Sequence, residues 1–223
     1  QGRVNWVSTG PDHATSTPVR LHVNNEGWVC EGERNLFVAD ALAMPGAHNL
    51  QNMLLVTAAA LEAGLRPETI ESALRCFEGV PHRLESLGSV QGIPVFNDSK
   101  ATNYDAAAVG LRSVPGPVVL LAGGQTKQGD AQSWLELLHE RSSAVVLFGA
   151  GAEELRCLIE ASAFSGDVPI HNGLDEAVPH ALELARQQKA ASVLLSPACA
   201  SFDQYSDFET RGNHFRELIE ARR

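Results

Sequence analysis

Short apolar runs broken by turn residues open the chain: Val4–Ser8, Val19–Val23, Gly27–Cys30 and Leu36–Val38, with breaks at Gly10-Pro11 and Asn24-Asn25-Glu26-Gly27. That spacing predicts a meander of short strands, too small to be secure alone. After Met44-Pro45-Gly46 the period changes. Leu50, Met53, Leu54, Thr57, Ala58 and Leu61 recur at three- and four-residue steps, which predicts a helix. Gly64 should stop it, and Pro67 should open a second helix running through Phe77. Glu78-Gly79-Val80-Pro81 breaks the pattern again, so the chain divides into residues 1–80 and 81–223. A strand-like run so soon after Gln1 suggests a start partway through a domain.

The second part has another rhythm. Residues 83–90 and Ile93–Asn97, joined by Gln91-Gly92, predict a hairpin. Strand candidates then follow at Val118–Ala122, Ala144–Phe148, Val168–His171 and Val193–Ser196. Helices fill the gaps at Asp105–Arg112, Ala131–Glu140, Ala152–Ala161 and Asp175–Gln188, and a last one covers about Asp207 to Ala221. The runs Val118–Leu121 and Val193–Leu195 are apolar throughout, as in parallel strands covered on both faces. The expected class is α/β: a doubly wound, mostly parallel sheet preceded by short strands and two helices.

Composition narrows the function. The 223 residues are 44% hydrophobic, enough for a core, with 17 Lys+Arg against 27 Asp+Glu and a net charge of −10. An acidic chain is a poor electrostatic partner for nucleic acid. No apolar run approaches the ~18 residues of a membrane helix, and no export signal is visible. Cys30, Cys76, Cys157 and Cys199 are scattered and read as buried thiols of a reducing compartment. The histidines show no metal-ligand spacing, so no protein metal site is expected.

In an open parallel sheet, ligands bind beyond the carboxyl ends of the strands. Three loops there are unusual. Asn97-Asp98-Ser99-Lys100-Ala101-Thr102-Asn103 places a carboxylate, a cation, hydroxyls and amides before a helix N-terminus, which favours anions. A cap by Thr102 or Asn103 explains one residue but not Lys100, one of only three lysines beside 14 arginines. Gly123-Gly124-Gln125-Thr126-Lys127 carries the second lysine after paired glycines. Two lysines on neighbouring strand ends would form a positive pocket for a small carboxylate or phosphate; an αL turn with a solvated lysine is the plainer alternative. The third loop runs from Ser196 to Asn213. Ser206 and Glu209 have capping-box spacing, which leaves Ser201 and Phe208 to face the pocket. Cys199 has no base tied to it and reads as a buried thiol.

Phe148-Gly149-Ala150-Gly151 imitates a dinucleotide fingerprint but lacks its third glycine, and no Walker A motif occurs. Upstream, Asn49 is a helix N-cap candidate. With His48 and Asn52 it offers hydrogen-bonding groups that could read an adenine edge. Arg83, in Pro81-His82-Arg83-Leu84-Glu85, could meet a phosphate or ribose, or form a surface ion pair.

Four segments in this order resemble the Mur ligases: residues 46–52, 81–85, 97–103 and Leu195-Ser196-Pro197-Ala198-Cys199-Ala200-Ser201-Phe202-Asp203-Gln204. The first loop and the Ser-Pro-Ala-Cys-Ala-Ser run are similar to the branch that adds D-glutamate. The resemblance implies that residues 1–80 are the end of a central ATP-binding domain. It implies that 81–223 are a C-terminal Rossmann-like domain for D-glutamate. It further implies an ATP- and Mg²⁺-dependent ligase of peptidoglycan precursor synthesis, and so of cell-wall biogenesis, shape and division. The enzyme would act as a monomer on D-glutamate, ATP and UDP-N-acetylmuramoyl-L-alanine through an acyl phosphate. By resemblance His48, Asn49, Asn52, Arg83 and Asp98 contact ATP, while Lys100, Thr102, Lys127, Ser201 and Phe208 surround D-glutamate. Lys100 and Lys127 are the catalytic pair. Where the family has an acidic residue near Lys127, this chain has Gln125. The family's ATP loop and metal ligands have no counterpart here, so this stretch alone is expected to be inactive. The rivals are a folylpolyglutamate synthase-like ligase and a non-catalytic nucleotide- or amino-acid-binding module.

Overall fold

The computed structural model describes residues 4–11, 19–44 and 46–223. Pro45, part of the expected break before the first helix, lies outside them. The chain forms two compact units, Gln1–Gly79 and Val80–Arg223.

In the first unit the strands are β1 (Trp6–Ser8), β2 (Val19–Val23), β3 (Trp28–Glu31) and β4 (Arg34–Val38), paired in that order. β2, β3 and β4 are antiparallel as a meander requires, but β1 pairs with β2 in parallel. The meander expectation therefore fails at β1. A parallel pair cannot be closed by a tight turn, so the Gly10-Pro11 break does not make a hairpin. The β2–β3 turn does: Asn24 Oδ1 accepts from the Glu26 and Trp28 amides at 3.0 and 2.9 Å, and Gly27 takes φ +81°.

Helices α1 (Ala47–Glu62) and α2 (Pro67–Arg75) cover the strands. Met53, Leu54 and Ala58 of α1 join Ile70 of α2, Leu21, Val29 and Phe37 in one core, at the predicted helical period. The N-cap is Gly46, not Asn49, which falls inside the first turn. Gly46 holds φ +102°, a conformation that glycine adopts without strain, and no side-chain cap bond forms there. Gly64 at φ +84° ends α1, with the Leu65 amide turning back onto the Ala60 carbonyl.

The second unit opens with the hairpin β5 (Glu85–Val90) and β6 (Ile93–Asn97). Gln91 and Gly92 both take positive φ, as its two-residue turn demands. Then come α3 (Tyr104–Ser113), β7 (Val118–Gly123), α4 (Gln132–Arg141), β8 (Ser142–Phe148), α5 (Ala152–Ala161), β9 (Ile170–His171), α6 (Leu174–Gln187), β10 (Ser192–Leu195) and α7 (Phe208–Glu220). The sheet order is β5-β6-β10-β7-β8-β9, parallel except for β5. β9 is shorter than expected because Pro169 cannot donate to the ladder, which confines that stretch to an edge.

Alternate residues of the central strands feed two cores. Val118, Leu120, Val145, Leu147 and Leu194 meet Leu111 of α3, Trp134 of α4 and Leu155 of α5. Val119, Leu121, Val146, Val193 and Leu195 meet Leu174 and Ala181 of α6 and Phe215 of α7. All ten strand residues are fully buried, which explains the unbroken apolar runs. Each such side chain contributes about 1.5–3 kcal/mol by leaving water. This two-sided packing makes the sheet doubly wound. It also presents the three loops after β6, β10 and β7 side by side, since these strands are neighbours.

Candidate functional site

The first loop is held from within. Asn97 is fully buried: its amide nitrogen lies 3.0 Å from His82 Nδ1 and donates to the Gly212 carbonyl at 3.1 Å, while its oxygen accepts from the Ser99 amide. Asp98 is 5% exposed and accepts from the Leu84 amide at 3.2 Å and Ser196 Oγ at 3.0 Å. Burial pushes its carboxyl up to about 7, against the pull of those hydrogen bonds and of the Arg83 charge. Ser99 Oγ donates to the Phe208 carbonyl at 2.8 Å. Asn103, not Thr102, caps α3, accepting from the Ala106 amide at 2.8 Å. What remains open to a ligand is Lys100, exposed with its ammonium 4.0 Å over the Phe208 ring, and the half-buried Thr102.

The second loop is held by backbone. Gly123 and Gly124 sit at φ +142° and +122°. A side chain on Gly123 would overlap the Phe148 carbonyl, and one on Gly124 the Ala200 carbonyl. Their amides donate to the Pro197 and Phe148 carbonyls, and Gln125 exchanges two bonds with Ala200. The glycines thus serve close backbone approach between loops rather than an αL turn. Beyond them Lys127 is exposed and lines a cavity of about 340 Å³ with Asn103, Tyr104, Asp105, Gln128, Asp130 and Ala198. Gly149 and Gly151 of the false fingerprint are also packing glycines. Side chains there would overlap Asp203 and Thr126.

The third loop is largely internal. The Cys199 thiol is buried and pushed up to about 12 by desolvation, so it stays protonated and is no nucleophile. Ser201 is only 2% exposed, and its carbonyl accepts from the Gln204 and Tyr205 amides. Phe208, by contrast, is partly open beneath Lys100. The expected capping box does not form. Asp207 is the N-cap of α7 and takes the Thr210 amide at 2.6 Å; the Thr210 hydroxyl bond first and then this amide bond hold its carboxyl below the usual range. A carboxylate suits the positive helix end better than a hydroxyl.

At the start of the unit, His82 is buried at φ +62°, and desolvation holds its imidazole below the usual value. Arg83 beside it is exposed, and no ion pair of its side chain forms among the described residues. Glu85 instead binds Arg216 at 2.7 and 2.9 Å. His48, Asn49 and Asn52 belong to the first unit: Asn49 is 3% exposed, His48 partly exposed and Asn52 open.

Sequence reasoning passed over Arg211. Its side chain is fully buried, and it donates to Ser99 Oγ at 3.0 Å, the Ser99 carbonyl at 2.8 Å, the Cys199 carbonyl at 3.1 Å and the Gly123 carbonyl at 3.4 Å. The one signal for it was Gly212, a glycine inside a helix, where a side chain would overlap His82.

An open sheet with three chemically dense loops at its carboxyl edge is the α/β arrangement in which ligands bind at the strand ends, and over most of its length the chain is similar to D-glutamate ligases of the Mur type. It is 58% identical over 96% of its length to the UDP-N-acetylmuramoylalanine–D-glutamate ligase of Parasynechococcus marenigrum, covering 46% of that protein. It is 58% identical over 97% of its length to the ligase of the same name from Synechococcus sp. strain CC9605, covering 47%. The chain thus spans about half the length of the curated relatives it matches. No family model matches it. Among solved structures, a Mycobacterium tuberculosis folylpolyglutamate synthase superposes with a TM-score of 0.62 at 17% identity, over 85% of this chain and 42% of that one. A Thermotoga maritima UDP-N-acetylmuramate–alanine ligase gives 0.55 at 19%, over 82% and 40%. These two likenesses speak for the fold.

Proposed function

We propose that this chain is part of an ATP-dependent ligase that joins D-glutamate to UDP-N-acetylmuramoyl-L-alanine in peptidoglycan precursor synthesis. The observation that carries the reading is the 58% identity to D-glutamate ligases over 96% of the chain. The loop geometry supports it, with two exposed lysines flanking β10 on an otherwise acidic protein. Lys127 and Lys100, with Thr102, would neutralise the two carboxylates of D-glutamate. Phe208, already under the Lys100 ammonium, would form one wall. Such clamping leaves the amine free to attack an acyl phosphate at the L-alanyl carboxylate, forming the amide as the carbon–oxygen bond to phosphate breaks and phosphate leaves, and its main effect is positioning. Ser201 stays in the set on the resemblance alone, since its side chain is buried.

For the nucleotide, Arg83 offers an exposed donor on the second unit, while His48, Asn49 and Asn52 of the first unit stay in the set on the resemblance alone. Asp98 would act by fixing the Leu84 amide next to Arg83. Magnesium would serve to neutralise phosphate charge when bound with ATP. We expect the stretch alone to lack ligase activity and the whole protein to work in the cytoplasm.

The test is ADP release by the full-length protein with UDP-N-acetylmuramoyl-L-alanine or a folate as acceptor, each offered D- and L-glutamate. Turnover only with the sugar nucleotide and D-glutamate is expected. Turnover with folate and L-glutamate moves the protein to the folylpolyglutamate synthases. Binding of ATP and glutamate without turnover makes it a binding module.

A further inference from the structure

Arg211 is the one fully buried charged side chain among the described residues. Its hydrogen bonds all go to neutral oxygens, and no carboxylate comes within ion-pair distance among the described residues. A buried cation with no carboxylate in hydrogen-bond reach is costly: desolvation lowers its pKa to about 10, against the weaker pull of the Asp203 charge. Lysine could not replace it, because only the planar fork reaches several acceptors at once.

Those acceptors are the roots of all three loops. Ser99 adjoins Lys100, Gly123 begins the loop of Lys127, and Cys199 lies two residues before Ser201. Arg211 itself stands one helical turn after Phe208, whose carbonyl is bound by the same Ser99 hydroxyl. We infer that Arg211 is a positioning residue that sets the spacing of Lys100, Lys127 and Phe208 across the amino-acid pocket. The inference rests on the ligase reading above. The guanidinium does not touch the ligand. It fixes where the ammonium groups stand, and its charge, buried beneath loops that carry two lysines, raises the local potential for a dicarboxylate. A packing role alone would not need a cation at this place; an aliphatic side chain would fill the volume without the desolvation cost.

Two readouts on full-length protein test this. In Arg211→Lys the KM for D-glutamate should rise at least tenfold, with the KM for ATP within twofold and kcat within threefold of the parent. Equal changes in both KM values, or none, overturn the inference. Amide hydrogen exchange should also quicken together in residues 97–103, 123–130 and 196–203, while α5 stays protected. Exchange altered only in α7, or everywhere, overturns it equally. Should Arg211→Lys fail to fold, Ser99→Ala removes one of the same bonds and should raise the D-glutamate KM about threefold; an unchanged value then counts against the idea. A parent that turns over no D-glutamate sinks the ligase reading alone, and the exchange result still decides Arg211.

Discussion

The loops after β6 and β7 flank the same strand and each delivers a lysine, yet they are built in opposite ways. The first is held by side chains: Asn97, Asp98 and Ser99 are all buried and hydrogen bonded, and the loop backbone follows them. The second is held by backbone: two glycines let a β8 carbonyl and one from the loop after β10 approach, and every residue from Lys127 to Asp130 is exposed. The first loop should therefore tolerate little change of polarity but some change of shape, and the second the reverse. Rigid support at the root with an open tip is what a binding loop needs, since the tip must meet ligand while the root must not move.

The sharpest way to break this contrast is Gly124→Ala. The added methyl has no space against the Ala200 carbonyl and the backbone conformation is disfavoured, so a loss of about 3 kcal/mol or more is expected in urea unfolding. A loss below 1 kcal/mol would mean the loop is not backbone-limited. Next comes Asp98→Asn. The folded carboxyl titrates near 7 and an unfolded one near 3.8, so the folded state holds the proton longer. Stability contributed by protonated Asp98 is complete below pH 4 and lost as pH rises to about 7, by at most ~4 kcal/mol. The amide should flatten that slope in unfolding measured from pH 4 to 8, and an unchanged slope would place the titration elsewhere. Lys127→Ala tests the open tip. It should raise the KM for D-glutamate at least tenfold in the full-length protein and leave the unfolding midpoint where it was. Unaltered D-glutamate kinetics would remove Lys127 from the pocket. The smallest effect belongs to Asn103→Ala, which removes the α3 cap and should cost about 1 kcal/mol, read as faster exchange in the first turn of α3.

Much of the fold was legible because it follows local rules. Continuous apolar runs at Val118 and Val193 announced strands buried on both faces, and Gln91-Gly92 announced a hairpin. Gly64-Leu65-Arg66-Pro67 separated two helices as glycine and proline dictate. The misreadings cluster where competing local signals were equal. Gly46 displaced Asn49 as a cap, and Asp207 displaced Ser206, because cap choice turns on backbone angles that neighbours share out. β1 ran parallel because strand direction depends on a crossover, not on the strand's own residues.

The site divided along the same line. Lys100 and Lys127 stood out as rare residues at the carboxyl ends of strands, and the resemblance around them was readable from four short segments. Which polar residues of the first loop are spent on structure was not readable: Asn97, Asp98 and Ser99 look as available in sequence as Lys100 and Thr102. Their partners, Ser196, Gly212 and Arg211, lie about a hundred residues away. Sequence by itself determined the elements, their layering and the chemistry offered at the strand ends, since these depend on period, turn residues and side-chain type. Tertiary structure alone decided which groups stay open to solvent and which face the protein, because a polar group buried in a sheet edge must find its partner wherever the fold brings one.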